Sequence, residues 1–216
     1  MSEGEGPSIG DRTVIGFLDS LASDAPTPGG GAAGAVVAAA GCALIAMVGR
    51  LTIGKKGFED VEDRMRSLVG TADTAKAEFL RLADADAHAF DGVMAAFRMP
   101  KETEEEKSAR SAAIQAGYEK AGAVPLQIAR KAVALMTLAE NATAAGNPLA
   151  ASDGLSGASC LYCGALCAIA NVEINAAALT IPGRRAQLLD ELAGLKALAD
   201  YSLKASETAF QLRLSY

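Results

Sequence analysis

One acidic residue interrupts an apolar stripe in the middle of the chain. Phe79, Ala83, Asp86 and Phe90 recur at three- and four-residue spacing, which predicts one face of a long helix. Burying a carboxylate on such a face is costly unless it is paired, protonated or open to a cavity. Removal from water raises a carboxyl pKa, as general acid–base chemistry near neutral pH requires. Asp86 is therefore the first catalytic candidate, and the alternative is a structural Asp hydrogen-bonded to a neighbouring helix.

The other titratable residues near Asp86 fit a solvated surface. Asp84, His88 and Asp91 fall on the opposite, polar face of the same predicted helix. His88 is the only histidine of the chain, and it has an Asp at i−4 and another at i+3. That arrangement is typical of an exposed charge cluster.

A glycine-rich entrance to an uncharged run is a second candidate. Gly29, Gly30 and Gly31 follow Pro-Thr-Pro, and the nineteen residues 31–49 carry no charge. A phosphate-binding loop is disfavoured because no predicted strand precedes the glycines and no Lys follows them. A membrane span is disfavoured because alanine and glycine contribute little to insertion. We expect a closely packed core helix with a side-chain-free surface beside a ligand at its start.

Two polar residues and a pair of cations are further candidates. Lys55 and Lys56 lie in GKKG, where they either hold an anionic group or form an ordinary exposed turn. Asn147 and Asp153 lie in GNPLAASD at a predicted helix entrance. Asp153 either caps that helix or holds a ring nitrogen and amino group of a heterocycle.

Two amides share a mostly apolar predicted helix. Asn171 and Asn175 lie one turn apart there, as expected for a polar network or a ligand contact.

The cysteines indicate packing and a reducing compartment. Cys160, Cys163 and Cys167 share one predicted helix face. With a single His and no second Cys pair, neither a metal site nor a disulfide is favoured. No metal is expected, and the chain is expected in the cytoplasm. The net charge of −6 also argues against a nucleic-acid partner.

The elements that must position these residues are all predicted to be helical. A capping box, Thr103 with Glu106, starts one of them, and Pro125 starts another. Residues 1–10 are expected to form a disordered tail. The predicted helices cover 11–23, 31–51, 59–97, 103–122, 125–144, 153–179 and 184–214. Short linkers favour an all-α, single-domain bundle of about seven helices, several of them long, over residues 11–216.

The order of motifs resembles a known family. FLDSLASDAPTPGGG, LTIGKKGFEDVE, DADAHAFDGVMAAFRMPKETEEEK, VPLQIARKA, GNPLAASD and NVEIN occur in that order. From about Thr13 to Leu214 the chain resembles the formiminotetrahydrofolate cyclodeaminase / methenyltetrahydrofolate cyclohydrolase family. The resemblance implies an all-helical subunit that forms a homodimer, with folate bound between helices near the dimer interface. Asp86 matches the second Asp of the family's D-x-D-A-E-A-F pattern, the implied proton donor and acceptor.

The resemblance also implies roles for the binding candidates and no metal or redox cofactor. The cation pair of GKKG is expected at the glutamate tail or as electrostatic support, and GNPLAASD at the pterin. The three glycines are expected in the pocket wall. The expected substrate-binding residues are Lys55, Lys56, Asp153, Asn147, Gly29, Gly30, Gly31 and Asn175.

Two reactions at the N5/N10 bridge of tetrahydrofolate are implied. One hydrolyses 5,10-methenyltetrahydrofolate to 10-formyltetrahydrofolate, and the other cyclises 5-formiminotetrahydrofolate with loss of ammonia. The alternatives are a non-catalytic helical dimer that binds folate or a protein partner, and a specialised member that acts on a non-folate amidine. The run after Asp153, GLSGASC, departs from the family's usual GVAA-like run.

Overall fold

The computed structural model describes residues 7–214, and in that range it contains helices and no strand. The all-α prediction is confirmed. The six α-helices are α1 (Val14–Leu21), α2 (Gly30–Thr52), α3 (Glu62–Phe97), α4 (Glu104–Ala145), α5 (Ala151–Ala177) and α6 (Pro182–Arg213). Short 3-10 helices cover Ile9–Asp11, Glu59–Val61 and Pro148–Ala150.

The predicted break between the fourth and fifth helices was wrong. Residues 103–122 and 125–144 join in one helix, α4, which contains Pro125 in its interior. Proline lacks the N–H that would bond the Ala121 carbonyl, at a typical cost of about 3 kcal/mol. Pro125 is buried with Leu126 and Ile128, so tertiary packing holds the helix together across the defect. The capping box at its start forms as predicted, with the Glu106 N–H donating to Thr103 Oγ1 over 3.2 Å.

The N-terminal segment is more ordered than expected. Residues 9 and 10, inside the predicted tail, belong to a 3-10 helix whose Ile9 N–H donates to Asp84 Oδ1 over 2.7 Å. Residues 1–6 of the predicted tail lie outside the described range. Helix α1 begins later than predicted because Thr13 is its N-cap and accepts from the Gly16 N–H.

Helix α2 packs at the centre of the bundle through its glycines. A Cβ added to Gly41 would lie 2.8 Å from the Gly157 carbonyl oxygen, and one added to Gly164 would lie 2.6 Å from the Gly34 oxygen. These pairings show that α2 and α5 run antiparallel with their backbones in contact. The interpretation of the uncharged run as a core helix is confirmed.

The outer sides of α2 and α5 form an uncharged surface, which we call the α2–α5 face. Its residues on α2 repeat at alternating three- and four-residue spacing, turned away from the core. The antiparallel packing turns the exposed small residues of α5 to the same side of the molecule. The face comprises Ala33, Val37, Ala40, Leu44, Met47, Leu51, Ser156, Cys163, Ala170 and Ile174.

Two segments are long and apolar enough to cross a membrane. They are Gly30–Thr52 and Pro148–Ala177, and 61% and 44% of their most apolar windows are buried inside the bundle. Core helices of soluble proteins share this length and composition.

Candidate active site

The Asp86 carboxylate lies directly against the N-terminus of α2. The nearby Ala32 backbone N–H favours its charged form. A Cβ added to Gly31 would lie 2.6 Å from Asp86 Cγ, so a glycine at 31 lets the carboxylate approach the helix end. Any larger residue at position 31 would therefore push the Asp86 carboxylate away from the helix end.

Two opposing effects act on the Asp86 pKa. Desolvation by burial raises the pKa above its ordinary value, and the Ala32 N–H offsets part of that by lowering it. The positive end of the α2 dipole also favours the charged form. The net direction is upward, which keeps the carboxyl group closer to the pH at which it can both take and give a proton.

The sequence explains why a side chain from another helix reaches this position. The N-cap of α2 is Gly29, which has no side chain with which to cap the helix. The first turn of any helix leaves backbone N–H groups without partners. The Asp86 carboxylate from α3 lies beside these groups, so the structural and the catalytic interpretations of this residue are compatible.

A cavity of about 260 Å³ opens beside Asp86, beyond the start of α2. It is enclosed by α3, α4, α5 and the segment before α2, in which the Thr27–Pro28 peptide bond is cis. Its lining combines apolar side chains with a few polar groups, as is usual for a small-molecule site. The lining residues are Pro26, Thr27, Gly29, Asp86, Ala89, Phe90, Ala121, Asn171, Ile174 and Asn175.

The two amides of α5 present acceptors to this cavity. The Asn171 side-chain N–H donates to the Cys167 carbonyl over 2.8 Å, and that of Asn175 donates to the Asn171 carbonyl over 2.7 Å. Within residues 7–214, neither amide oxygen accepts a hydrogen bond. Two oriented acceptors of this kind suit the N–H groups of a reduced heterocycle. Gly30 keeps this corner open, because a Cβ there would lie 3.0 Å from Asn171 Nδ2.

Some wall residues could not be identified from the sequence pattern alone. Phe90 was assigned to the apolar core stripe, but it is half-exposed and lines the cavity one turn from Asp86. Ala121 lines the cavity as well. The sequence feature that could have indicated it is Pro125, because proline has no N–H to donate to the Ala121 carbonyl.

The Lys pair lies at the other end of α2. Lys55 and Lys56 are exposed in a turn between Gly54 (φ 70°) and Gly57 (φ 88°), both in the left-handed region that favours glycine. No described residue forms an ion pair with either lysine. The 23 residues of α2 span about 34 Å, so the Lys pair and Asp86 are not in one cavity of one chain.

Asn147 and Asp153 are also at the Lys end. The Asn147 backbone N–H donates to Thr52 Oγ1 over 2.8 Å, its side-chain N–H donates to the Leu51 carbonyl over 3.3 Å, and its Oδ1 accepts from the Leu149 N–H. These bonds give Asn147 a turn-building role in the chain. Asp153 lies in the first turn of α5, whose N-cap is Ala150, so Asp153 does not cap the helix.

The remaining reactive side chains do not converge with Asp86. His88 is exposed, and its Nδ1 lies 2.7 Å from the Asp84 carbonyl oxygen, which sets Nδ1–H as the donor. All four cysteines are free thiols, and burial raises the pKa of Cys42 to about 12. Between residues 7 and 214, no three His, Cys, Asp or Glu side chains group as metal ligands.

Comparisons with known proteins agree on one family. A family model described as "Formiminotransferase-cyclodeaminase" matches residues 13–193. The chain is 40% identical to a methenyltetrahydrofolate cyclohydrolase of Methylorubrum extorquens, over 88% of this chain and 91% of that protein. It is 37% identical to the mouse formimidoyltransferase-cyclodeaminase over 78% of its own residues, which is 31% of the mouse protein.

A solved structure shares the fold. The crystal structure of formiminotetrahydrofolate cyclodeaminase from Thermotoga maritima superposes with a TM-score of 0.85 at 30% identity. The match covers 94% of this chain and 98% of that one.

Proposed function

The chain belongs to the formiminotransferase-cyclodeaminase family, and on that premise we propose that it hydrolyses 5,10-methenyltetrahydrofolate to 10-formyltetrahydrofolate. It is an enzyme of folate one-carbon chemistry that acts at the N5/N10 bridge of tetrahydrofolate. The preference for hydrolysis is supported by the relative of M. extorquens, which this chain matches over nearly its whole length.

The observation that carries the proposal is the Asp86 carboxyl group. It faces a cavity, burial raises its pKa, and it lies against the first turn of α2. Those are the properties of a group that moves a proton in both directions during one turnover.

In the proposed hydrolysis, water adds to the methenyl carbon while the Asp86 carboxylate accepts a proton from that water. The product is a neutral tetrahedral carbon that carries a hydroxyl group between N5 and N10. Protonated Asp86 then donates to N5 as the carbon–N5 bond breaks. The formyl C=O forms on N10 as the hydroxyl proton leaves to solvent, so one proton is released overall. The amide oxygens of Asn171 and Asn175 orient the reduced pterin through its N–H groups.

Cyclodeamination of 5-formiminotetrahydrofolate is the second candidate. It is favoured by the structural match to the T. maritima cyclodeaminase. Here N10 attacks the formimino carbon, Asp86 takes the proton from N10, and the same proton is donated to the departing nitrogen. A second proton from solvent completes ammonia, and methenyltetrahydrofolate is formed. Neither route is proposed to use a metal or a redox cofactor.

We also propose that the chain functions as a homodimer joined through the α2–α5 face. The face is about as long as α2 and two helices wide, roughly 700 Å² per subunit. Stable interfaces bury about 800 Å² per partner. An uncharged, partly apolar patch of that size on a folded surface is typical of a protein contact site. A cytoplasmic location is likewise proposed, supported by the four free thiols and the acidic net charge.

A paired absorbance assay tests the reaction. Purified protein is added to methenyltetrahydrofolate in one cuvette and to formiminotetrahydrofolate in another, and the near-ultraviolet band of the methenyl bridge is followed. A loss of the band faster than the uncatalysed rate supports cyclohydrolysis. A gain in the second cuvette with release of ammonia supports cyclodeamination instead. No change in either would overturn the enzyme proposal and favour a binding dimer or a non-folate amidine as substrate.

A further inference from the structure

We propose that the backbone carbonyl of Ala121, which Pro125 leaves without its helical donor, holds the water molecule that attacks the substrate. Ala121 and Asp86 then each accept one hydrogen of this water, and a lone pair of its oxygen faces the methenyl carbon. The inference rests on the proposed hydrolysis and adds a second group to its mechanism. It gives the Ala121 carbonyl a catalytic contact and Pro125 a positioning role.

The free acceptor follows from the sequence of α4. In a regular helix the N–H of residue 125 would donate to the Ala121 carbonyl, but proline has no N–H. The proline ring also crowds the carbonyl four residues before it and turns that carbonyl away from the helix axis. Buried carbonyl groups are nearly always paired, with ordered water where no protein donor is available. Ala121 is 5% exposed, so its carbonyl is such a buried acceptor.

The side-chain amides beside the cavity do not supply the missing donor. The Asn171 side-chain N–H donates to the Cys167 carbonyl, and that of Asn175 donates to the Asn171 carbonyl, so both bonds stay within α5. Within residues 7–214, no side-chain hydrogen bond reaches the Ala121 carbonyl. A water in the cavity is therefore the donor that this carbonyl can use.

Ala121 is the contribution of α4 to the active-site cavity. Among the described residues of α4, it alone lines the cavity, and its side chain is a methyl group, so its polar atoms belong to the backbone. A Cβ added to Gly117 would lie 3.2 Å from Val93 Cα of α3. One added to Gly122 would lie 3.5 Å from Asn175 Cβ of α5. Packing against both neighbours thus fixes the α4 backbone on either side of Ala121.

Two acceptors on different walls orient a water between them. The cavity of about 260 Å³ has room for several waters, since each takes about 30 Å³ of liquid volume. A water that donates to the Asp86 carboxylate and to the Ala121 carbonyl has both hydrogens engaged. Its lone pairs then point to the remaining side of the cavity, where the proposed complex places the methenyl carbon.

The two acceptors differ in what they do to the water. The Asp86 carboxylate takes one proton as the bond from oxygen to the methenyl carbon forms, whereas a neutral carbonyl only accepts a hydrogen bond. The second hydrogen stays on the new hydroxyl group, bonded to the Ala121 carbonyl, until the formyl C=O forms and that proton passes to solvent. The carbonyl thus contributes the position of the nucleophile, an effect that raises kcat rather than substrate affinity.

Restoring the missing N–H tests the inference. Pro125→Ala and Pro125→Val each give residue 125 an N–H that can bond the Ala121 carbonyl within α4, and valine keeps more of the buried volume of the ring. Both variants should hydrolyse methenyltetrahydrofolate with a kcat about 10- to 100-fold below that of the wild type and a KM within about twofold. Circular dichroism and thermal unfolding check that both variants fold.

Carbonyl NMR reports on the Ala121 acceptor independently of turnover. With carbonyl-¹³C alanine and ¹⁵N glycine, only Ala–Gly pairs give a correlated signal, and Gly122→Ala assigns the signal of Ala121 by its loss. A carbonyl that gains an N–H partner moves downfield, so the Ala121 signal should move downfield in both Pro125 variants while the other pairs stay. A signal at the same shift in the wild type and both variants would show that no acceptor was free, and would overturn the inference.

The kinetic outcomes separate this inference from the proposed function. Full kcat in both Pro125 variants, or a raised KM at unchanged kcat, overturns the held water and leaves the hydrolysis in place. A folded wild-type protein that is inactive on methenyltetrahydrofolate overturns the hydrolysis and this inference together.

A packing control uses the same stretch of α4. Ile128→Val removes a methylene group from a fully buried side chain without adding an N–H to the helix. It should unfold at a lower temperature and keep wild-type kcat. A loss of kcat equal to that of the Pro125 variants would assign the effect to packing and contradict the role of the carbonyl.

Discussion

The two ends of helix α2 differ in nearly every physical property. At its start, Gly31 lets the backbone approach a partly buried carboxylate from α3, and α4 and α5 close a cavity around it. At its end, two glycines with positive φ open the chain into an exposed turn that carries two lysines. The start of α2 is preorganised and shielded from water, whereas the turn at its end is exposed to water and can extend towards a ligand.

This difference indicates that the two ends of α2 serve different functions in a folate enzyme, proton transfer at one end and substrate binding at the other. Moving a proton needs a fixed position and a shifted pKa, which only the buried end provides. Capturing the carboxylates of a substrate tail needs charge and reach, which an exposed turn provides. Changes at the buried end should therefore affect kcat, whereas changes at the exposed end should affect KM.

The largest expected effect is at Asp86. Asp86→Asn keeps an oxygen that can accept from the Ala32 N–H but cannot take the proton of water. We expect kcat to fall by about 10² to 10⁴-fold, the usual range for a general acid–base, while a fluorescence titration shows folate binding largely retained. Asp91→Asn, on the outer face of the same helix, is the matched control and should keep wild-type kcat. Near-normal turnover by Asp86→Asn would remove the residue from the mechanism.

A steric change at Gly31 should have the next largest effect. In Gly31→Ala the new Cβ would lie 2.6 Å from Asp86 Cγ, so the carboxylate must leave its position against α2. A displacement of about 1 Å can cost 10²-fold in rate, and we expect a fall of about that size in kcat with KM little changed.

The control for Gly31 is a glycine without neighbours. Nothing lies within 4 Å of a Cβ added to Gly70, on the exposed side of α3. Gly70→Ala should keep full activity and raise the free energy of unfolding by about 0.5–1 kcal/mol. If Gly31→Ala behaves like Gly70→Ala, the close approach of Asp86 to α2 has no catalytic role.

These two variants show what could be predicted from the sequence and what could not. Asp86 could be identified because an acidic residue on an apolar stripe violates the pattern around it. Gly31 was expected in the pocket wall, but its contact partner depends on the packing of α3 against α2, which no local pattern contains. The same holds for Phe90, whose spacing is that of a core residue.

The prediction of the fold from the sequence has the same limit. Five of the seven predicted helices correspond to single helices, with ends that differ by a few residues. The error at Pro125 arose because local propensity marks a break, whereas buried neighbours such as Ile128 keep α4 continuous. The resemblance also places GKKG and GNPLAASD in one site with Asp86, and this stays a prediction. Within one chain α2 separates both motifs from Asp86 by about 34 Å.

A smaller effect is expected at the exposed end. Lys55→Ala with Lys56→Ala should raise KM about 10-fold and leave kcat within about twofold, because the expected contacts of the cations with the substrate tail are the same before and during the reaction. The contribution of exposed charges is screened by salt. Raising the ionic strength should therefore increase the wild-type KM and leave that of the double variant nearly constant. A fall in kcat instead would show that the lysines act on the reacting bridge.

The smallest predicted effect is a shift in the pH dependence of kcat/KM. This shift depends on the buried end of α2 alone. The proposed hydrolysis uses Asp86 as a carboxylate, and burial raises its pKa, so kcat/KM should decline as the pH falls through a midpoint above the value of about 3.9 for an ordinary aspartate. The double-lysine variant should show the same midpoint, because its defect lies at the other end of α2. A wild-type midpoint at or below 3.9 would contradict the desolvated site.

Stability measurements test the direction of the Asp86 pKa shift independently of activity. Because the folded protein binds the Asp86 proton more tightly than the unfolded chain does, the stabilising contribution of that proton is complete below the unfolded pKa. It is lost as the pH rises through the folded pKa. Asp86→Asn has no proton to lose there, so urea titrations should show the variant gaining stability relative to the wild type as the pH rises through this window. Activity and stability then change in opposite directions over one pH range, which distinguishes a desolvated catalytic carboxyl group from a helix cap held by hydrogen bonds, since such a cap has a lowered pKa and stabilises the fold as the pH rises.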